Sequence, residues 1–197
     1  MNNYNPQIHH RRSIRLKEYD YSLAGAYFIT ICCEDMIRRF GHIENKIMIL
    51  NEYGAIANNE WIKLCERFSN LELDAFQIMP NHMHGIIILN PPAVRAALAA
   101  APNVAIDIAD TNTTDITIDK KAEASPAPTV GDIVGAYKSL VFNGCLDLYK
   151  MKNEKMGKLW QRNYYEHIIR NEQSYQNISN YIINNPSKWE EDKFFKL

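Results

Sequence analysis

His82-Met83-His84 heads an apolar run, GIIIL, that ends at Leu89. Side chains of a β-strand alternate between faces, so residues at i and i+2 project together. Both imidazoles can then reach one ion while Met83 turns to the other face. With Ile86 and Ile88 continuing the histidine face and Ile87 and Leu89 the opposite one, the strand reads as buried on both sides. Taken alone, a histidine pair on a strand is more often hydrogen-bonded structure than a metal site. A second constellation lies near the C-terminus in NISNYIINNP. Tyr181 and Asn185 are one helical turn apart, at i and i+4. At about 100° per residue, Ile178 and Ile182 define the buried stripe and the tyrosine and asparagine flank it, so a phenol and an amide face the sheet together. The bland alternative is a tyrosine at the core edge beside a C-cap asparagine. A phenol has an ordinary pKa near ~10, so a tyrosine nucleophile needs help to ionise.

For these groups to meet, a strand end and a helix face must be brought together. Residues 25–33, GAYFITICC, are β-branched and aromatic and read as a central strand. Residues 46–50 read as a short second strand. Asn51 can cap a helix through Phe68, in which Tyr53, Ala57, Trp61 and Leu64 recur at three- and four-residue steps. Two strands, 71–79 and 82–89, are joined by Pro80-Asn81. Thr129 and Asp132 open a helix whose buried face carries Val130, Ile133, Tyr137, Val141 and Cys145. Residues 164–170 read as a strand and 171–185 as a last helix stopped by Pro186. Strands with interspersed helices, including an antiparallel pair, predict an α+β fold, an antiparallel sheet with helices packed on one face.

At 197 residues, 46% apolar and 23% charged, the chain is expected to form a single domain, 1–197, with a real core. Residues 91–128 differ: they are rich in Ala, Pro, Thr and Asp, lack any aromatic residue, and read as a low-complexity flexible insertion. They hold five acids and three bases, so the formal net charge of −1 becomes +1 for the remainder. Arg11, Arg12 and Arg15 make the N-terminal arm locally basic, and Lys150, Lys152, Lys155, Lys158 and Arg162 form a second basic group. The four cysteines show no paired spacing and read as reduced thiols of a cytoplasmic protein. The N-terminus has no apolar signal region, and no apolar run reaches the roughly 18 residues of a membrane span. Neither secretion nor membrane insertion is expected.

The runs PNHMHGIIIL, WQRNYYEHIIR and YIINNPSKW together resemble the REP-associated tyrosine transposases, within the single-tyrosine transposases that carry a His-hydrophobic-His metal motif. RRSIRLKEYDYSLAGAYFITICC and VGDIVGAYKSLV are similar to that family too, and the resemblance spans nearly the whole chain apart from 91–128. The histidine tripeptide is weak alone, but Tyr-x-x-x-Asn-Pro about 100 residues later makes the combination specific. The resemblance implies a ferredoxin-like sandwich, with Mg²⁺ or Mn²⁺ held by His82, His84 and Asn185. It implies Tyr181 as the catalytic nucleophile, attacking a phosphodiester of single-stranded or hairpin DNA to leave a 5′-phosphotyrosine and a free 3′-hydroxyl. Two imidazoles and an amide would leave the ion's charge available to the phosphate. Tyr164 and Tyr165 are rivals that lack an amide or acid at i+4 in the matching position. Arg11, Arg12, Arg15 and Arg162 are the expected DNA contacts, Lys138 is a weaker one, and the protein is expected to be a monomer. The competing readings are a replication-initiator enzyme of the same chemistry, a non-catalytic nucleic-acid-binding module, and a metal-dependent nuclease that uses water.

Overall fold

The computed structural model describes residues 19–91 and 128–195. Strand β1 (Gly25–Cys32) leads through a short turn to the hairpin β2 (Gly41–Glu44) and β3 (Ile47–Leu50), followed by helices α1 (Glu52–Ile62) and α2 (Leu64–Arg67). Strands β4 (Leu71–Ile78) and β5 (His82–Leu89) come next, then α3 (Val130–Met151), β6 (Tyr165–Ile169), α4 (Glu172–Asn184) and a 3-10 segment, Pro186–Glu191. Four strands form one sheet in the order β4-β5-β1-β6, every neighbouring pair antiparallel. With α1 between β1 and β4 and α3 between β5 and β6, this is the ferredoxin-like α+β sandwich that the resemblance implies.

The strand alternation divides the core. Tyr27, Ile29 and Ile31 of β1 and Met83, Ile87 and Leu89 of β5 share one face, packed against Trp61 of α1 and Tyr137 and Val141 of α3. This is the helix-covered face that the α+β pattern predicts. Helix α3 starts where expected, on a capping box between Thr129 and Asp132. The opposite face carries Ala26, Phe28, Ile86 and Ile88, and α4 lies across it through Ile178 and Ile182. Tyr175 of α4 hydrogen-bonds Asp74 of β4, tying the start of that helix to the sheet edge. The even-numbered face of β5 therefore ends at one side in its two histidines, with α4 above them.

Two boundaries differ from the sequence reading. The predicted helix 51–68 is two helices, because Lys63 ends α1 before Leu64 begins α2. Residues 46–50 are the second half of a hairpin whose first strand, β2, has no periodic apolar signal; Asn45 and Lys46 turn it with φ of 50° and 65°. Among the described residues, no helix is long and apolar enough to cross a membrane.

Candidate active site

His82 and His84 are fully buried, on neighbouring even positions at the start of β5. What surrounds them fixes their protonation. Asn81 Nδ2 donates to the Met36 carbonyl at 3.2 Å and to the Phe194 carbonyl at 2.9 Å, which sets the orientation of its amide. Its Oδ1 then faces His82 Nδ1 at 2.8 Å. An amide oxygen can only accept, so Nδ1 carries the proton and His82 Nε2 presents a lone pair. His84 Nδ1 lies 2.8 Å from the hydroxyl of Thr30, its cross-strand partner on β1. The two Nε2 atoms converge to 3.0 Å. Burial pushes His82 down to about 4 and His84 well below its ordinary value, so both rings are neutral at pH 7.

Tyr181 comes to the same point from α4. Its hydroxyl lies 3.1 Å from His84 Nε2 and donates to Asp192 Oδ2 at 3.0 Å. Its ring stands edge-on to Phe28, and the side chain remains 40% exposed, so the hydroxyl is held from inside while the residue is open to a ligand from outside. Burial, and after it the charge of Asp192, raise the Tyr181 pKa above its ordinary value. The phenol is protonated as it stands. Asn185, at the end of α4, donates from Nδ2 to the same Asp192 oxygen at 2.6 Å, while its Oδ1 is buried without a hydrogen-bond partner. The structure thus brings together His82, His84, Tyr181 and Asn185, and it adds Asp192.

These residues fit a divalent cation on three counts. Ligand atoms of His82, His84 and Asp192 lie within 4.8 Å of one another, so this group could hold a metal ion. The orphaned Asn185 oxygen is a further donor with no other use. Asn81 and Thr30 orient the rings from behind, as outer partners of metal-ligating histidines do. Nitrogen and oxygen donors without a thiolate are unlike a structural zinc site. The ring of Phe194 lies against both imidazoles, with centroids 4.7 and 5.9 Å away, and Trp189 flanks His82.

Asp192 was missed because nothing in SKWEEDKFF marks which of three successive acids turns inward. Thr30 and Asn81 were missed because their role depends on strand pairing and on a contact with the C-terminal segment. Of the expected DNA contacts, Arg11, Arg12 and Arg15 lie outside the described residues. Arg162 is exposed beside Tyr164 and Tyr165. Lys138 is engaged elsewhere: its ammonium donates to the carbonyls of Gln161 and Arg162, at 2.6 and 3.1 Å. Trp160 is core, its indole nitrogen donating to the Lys138 carbonyl.

No protein-family profile matches the chain. It is 40% identical over 192 residues to an uncharacterized protein of Haemophilus influenzae, covering 98% of this chain and 97% of that one. Among solved structures it is similar to a REP-associated tyrosine transposase bound to a REP hairpin, with a TM-score of 0.53 and 19% identity over 91% of this chain and 77% of that one.

Proposed function

From a chain that belongs to one family with the Haemophilus influenzae protein and has the fold of a REP-associated tyrosine transposase, we propose a single-tyrosine DNA endonuclease and strand transferase acting on single-stranded or hairpin DNA. The observation that carries this reading is the Tyr181 hydroxyl standing 3.1 Å from His84 Nε2 and 3.0 Å from Asp192. A nucleophile beside a buried set of nitrogen and oxygen donors that could hold a metal ion is an arrangement suited to phosphoryl transfer.

In this reading the Tyr181 oxygen forms a bond to phosphorus and the bond from phosphorus to the 3′-oxygen breaks. The phenol proton passes to solvent by way of the Asp192 carboxylate to which it already donates, the 3′-oxygen takes a proton from water and leaves as a hydroxyl, and the phosphorus stays bonded to the 5′-oxygen and to Tyr181. The phosphotyrosine conserves a phosphodiester bond, so the cut can be reversed or passed to a new 3′-end. Asp192 fixes the phenol's hydrogen-bond direction. Burial keeps the two imidazoles neutral, and Asn81 and Thr30 aim them. His82 and His84, with Asp192 and Asn185 as the further donors, would hold Mg²⁺ or Mn²⁺, which when bound polarises the scissile phosphate and favours the phenolate. One chain supplies every group named here, which favours a monomeric enzyme.

Tyr181→Phe tests this. It removes one oxygen and keeps the ring against Phe28, so DNA affinity and stability should change little while cleavage and the covalent adduct disappear. The assay is a denaturing gel with labelled single-stranded and hairpin oligonucleotides and Mg²⁺ or Mn²⁺, followed by mass spectrometry of the DNA-linked peptide. An adduct that survives in Tyr181→Phe, or maps to Tyr164 or Tyr165, would falsify the assignment. Cleavage with no adduct in any variant would identify water as the nucleophile.

A further inference from the structure

The exposed side of α4 carries a run of amides that the chemistry above does not use. At about 100° per residue, Asn177, Asn180 and Asn184 fall within a narrow arc on the helix, with Tyr181 next to them, Asn185 beyond it and Ile178 and Ile182 on the sheet side. All three asparagines are exposed. Between this arc and the 3-10 segment lies a groove of about 410 Å³, lined also by Tyr181, Lys188 and Glu191. Its size falls within the roughly 300–1,000 Å³ of small-ligand pockets.

Asparagine is a weak helix former, and an exposed helix face is ordinarily filled by Ala, Glu, Lys or Arg. Here Glu172 is the only charged residue of α4, so the arc gains nothing from intrahelical ion pairs. Two of the amides are partly engaged: Asn177 Oδ1 accepts from Gln173, and Asn184 Nδ2 donates to the Asn180 carbonyl. The Asn180 amide makes no hydrogen bond among the described residues and is free at both its donor and its acceptor. Lys188 is exposed and makes no ion pair among them.

We propose that this groove binds the unpaired nucleotide next to the scissile phosphate and selects a base with an exocyclic amino group, adenine above all. An amide offers one donor and one acceptor side by side, the complement of adenine's N7 and N6 amino group. Glu191 on the groove wall can accept from an amino group and repels a carbonyl oxygen, which disfavours thymine. Lys188, which lines the same groove, offers an ammonium to the neighbouring backbone phosphate. Tyr181 itself lines this groove, so a phosphate brought to its hydroxyl would have its flanking nucleotide beside the groove. The inference rests on the nuclease reading, but its test reads binding alone.

Full-length Tyr181→Phe protein, which cannot cleave in that reading, is equilibrated in Mg²⁺ with DNA hairpins bearing a randomised single-stranded flank, and the bound pool is sequenced. One flank position should be enriched in adenine over thymine by about tenfold, the value of one good amide-to-adenine contact. Adding Asn180→Ala should abolish that preference while leaving total hairpin binding within about threefold; alanine is the better helix former at this exposed site, and circular dichroism verifies the fold. An unchanged adenine preference in Asn180→Ala, or no preference at any flank position with hairpin binding intact, would overturn the groove as a base site and leave the nuclease reading standing. Absence of binding to every hairpin would overturn both.

Discussion

At the residue scale, the site is built from hydrogen bonds that remove freedom from two rings. Asn81 is fixed by two backbone carbonyls and so assigns the tautomer of His82; Thr30 does the orienting work for His84. Thr30→Val keeps the side chain's shape and deletes the hydroxyl, leaving His84 Nδ1 buried and unpaired. Loss of an outer partner of this kind is expected to weaken Mn²⁺ binding by about 10- to 100-fold and to cost about 1–3 kcal/mol of stability. Calorimetric titration with Mn²⁺ and urea unfolding check the two; equal Mn²⁺ affinity in wild type and variant would remove Thr30 from this role. The histidine pair and the tyrosine with its i+4 asparagine were legible in the sequence because each is local, one set by strand alternation and the other by helix pitch. Asp192, Thr30 and Asn81 were not. Asp192 follows a proline-started turn whose path no periodicity encodes, and the other two act across strand pairing or a contact 113 residues away in sequence.

At the scale of elements, β5 is the part that must not move, because it carries both histidines and is buried on each face. Gly85, directly after His84, lets α1 approach: a Cβ there would lie 2.5 Å from Trp61 Cζ2. Gly85→Ala should therefore cost about 1–3 kcal/mol through overpacking, measured by urea unfolding. Trp61→Phe should cost less in the Gly85→Ala background than alone, because it returns the space the methyl needs; strictly additive losses would mean that the contact is not the cause. The sequence indicated β1, β4, β5, α3 and α4 to within a few residues, since each has a sustained period and a clear start or stop. It missed β2, whose Gly-His-Ile-Glu is too short and too exposed to show alternation, and it ran α1 through Lys63, where the apolar spacing continues although the helix does not. That α4 covers the face opposite α1 and α3 is a matter of chain path and is absent from any local pattern.

At the scale of the whole molecule, the antiparallel sheet has two unlike ends. β5 begins at His82 and finishes at Leu89, and at roughly 3.3 Å per residue its far end is about 23 Å from His82 and about 17 Å from His84. The segment 91–128 departs from that far end and returns at Thr129, where the Val130 amide is held by the Tyr21 carbonyl. Replacing most of it by a short linker should change stability by less than about 1 kcal/mol, because closure entropy varies slowly with loop length, and should leave Mn²⁺ affinity unchanged. Thermal unfolding and calorimetric titration would test this, and a large loss of either would show that the segment is bound into the fold. The same separation has an evolutionary side. Because the segment's anchor points lie at the end of the sheet opposite the histidines, lineages that gain or lose codons between those for Pro91 and Pro128 are expected to keep the chemistry at Tyr181, and comparing cleavage by such length variants would check this. For an experimenter the same two anchor points mark a place to graft a fluorophore or a tether at the sheet end opposite Tyr181.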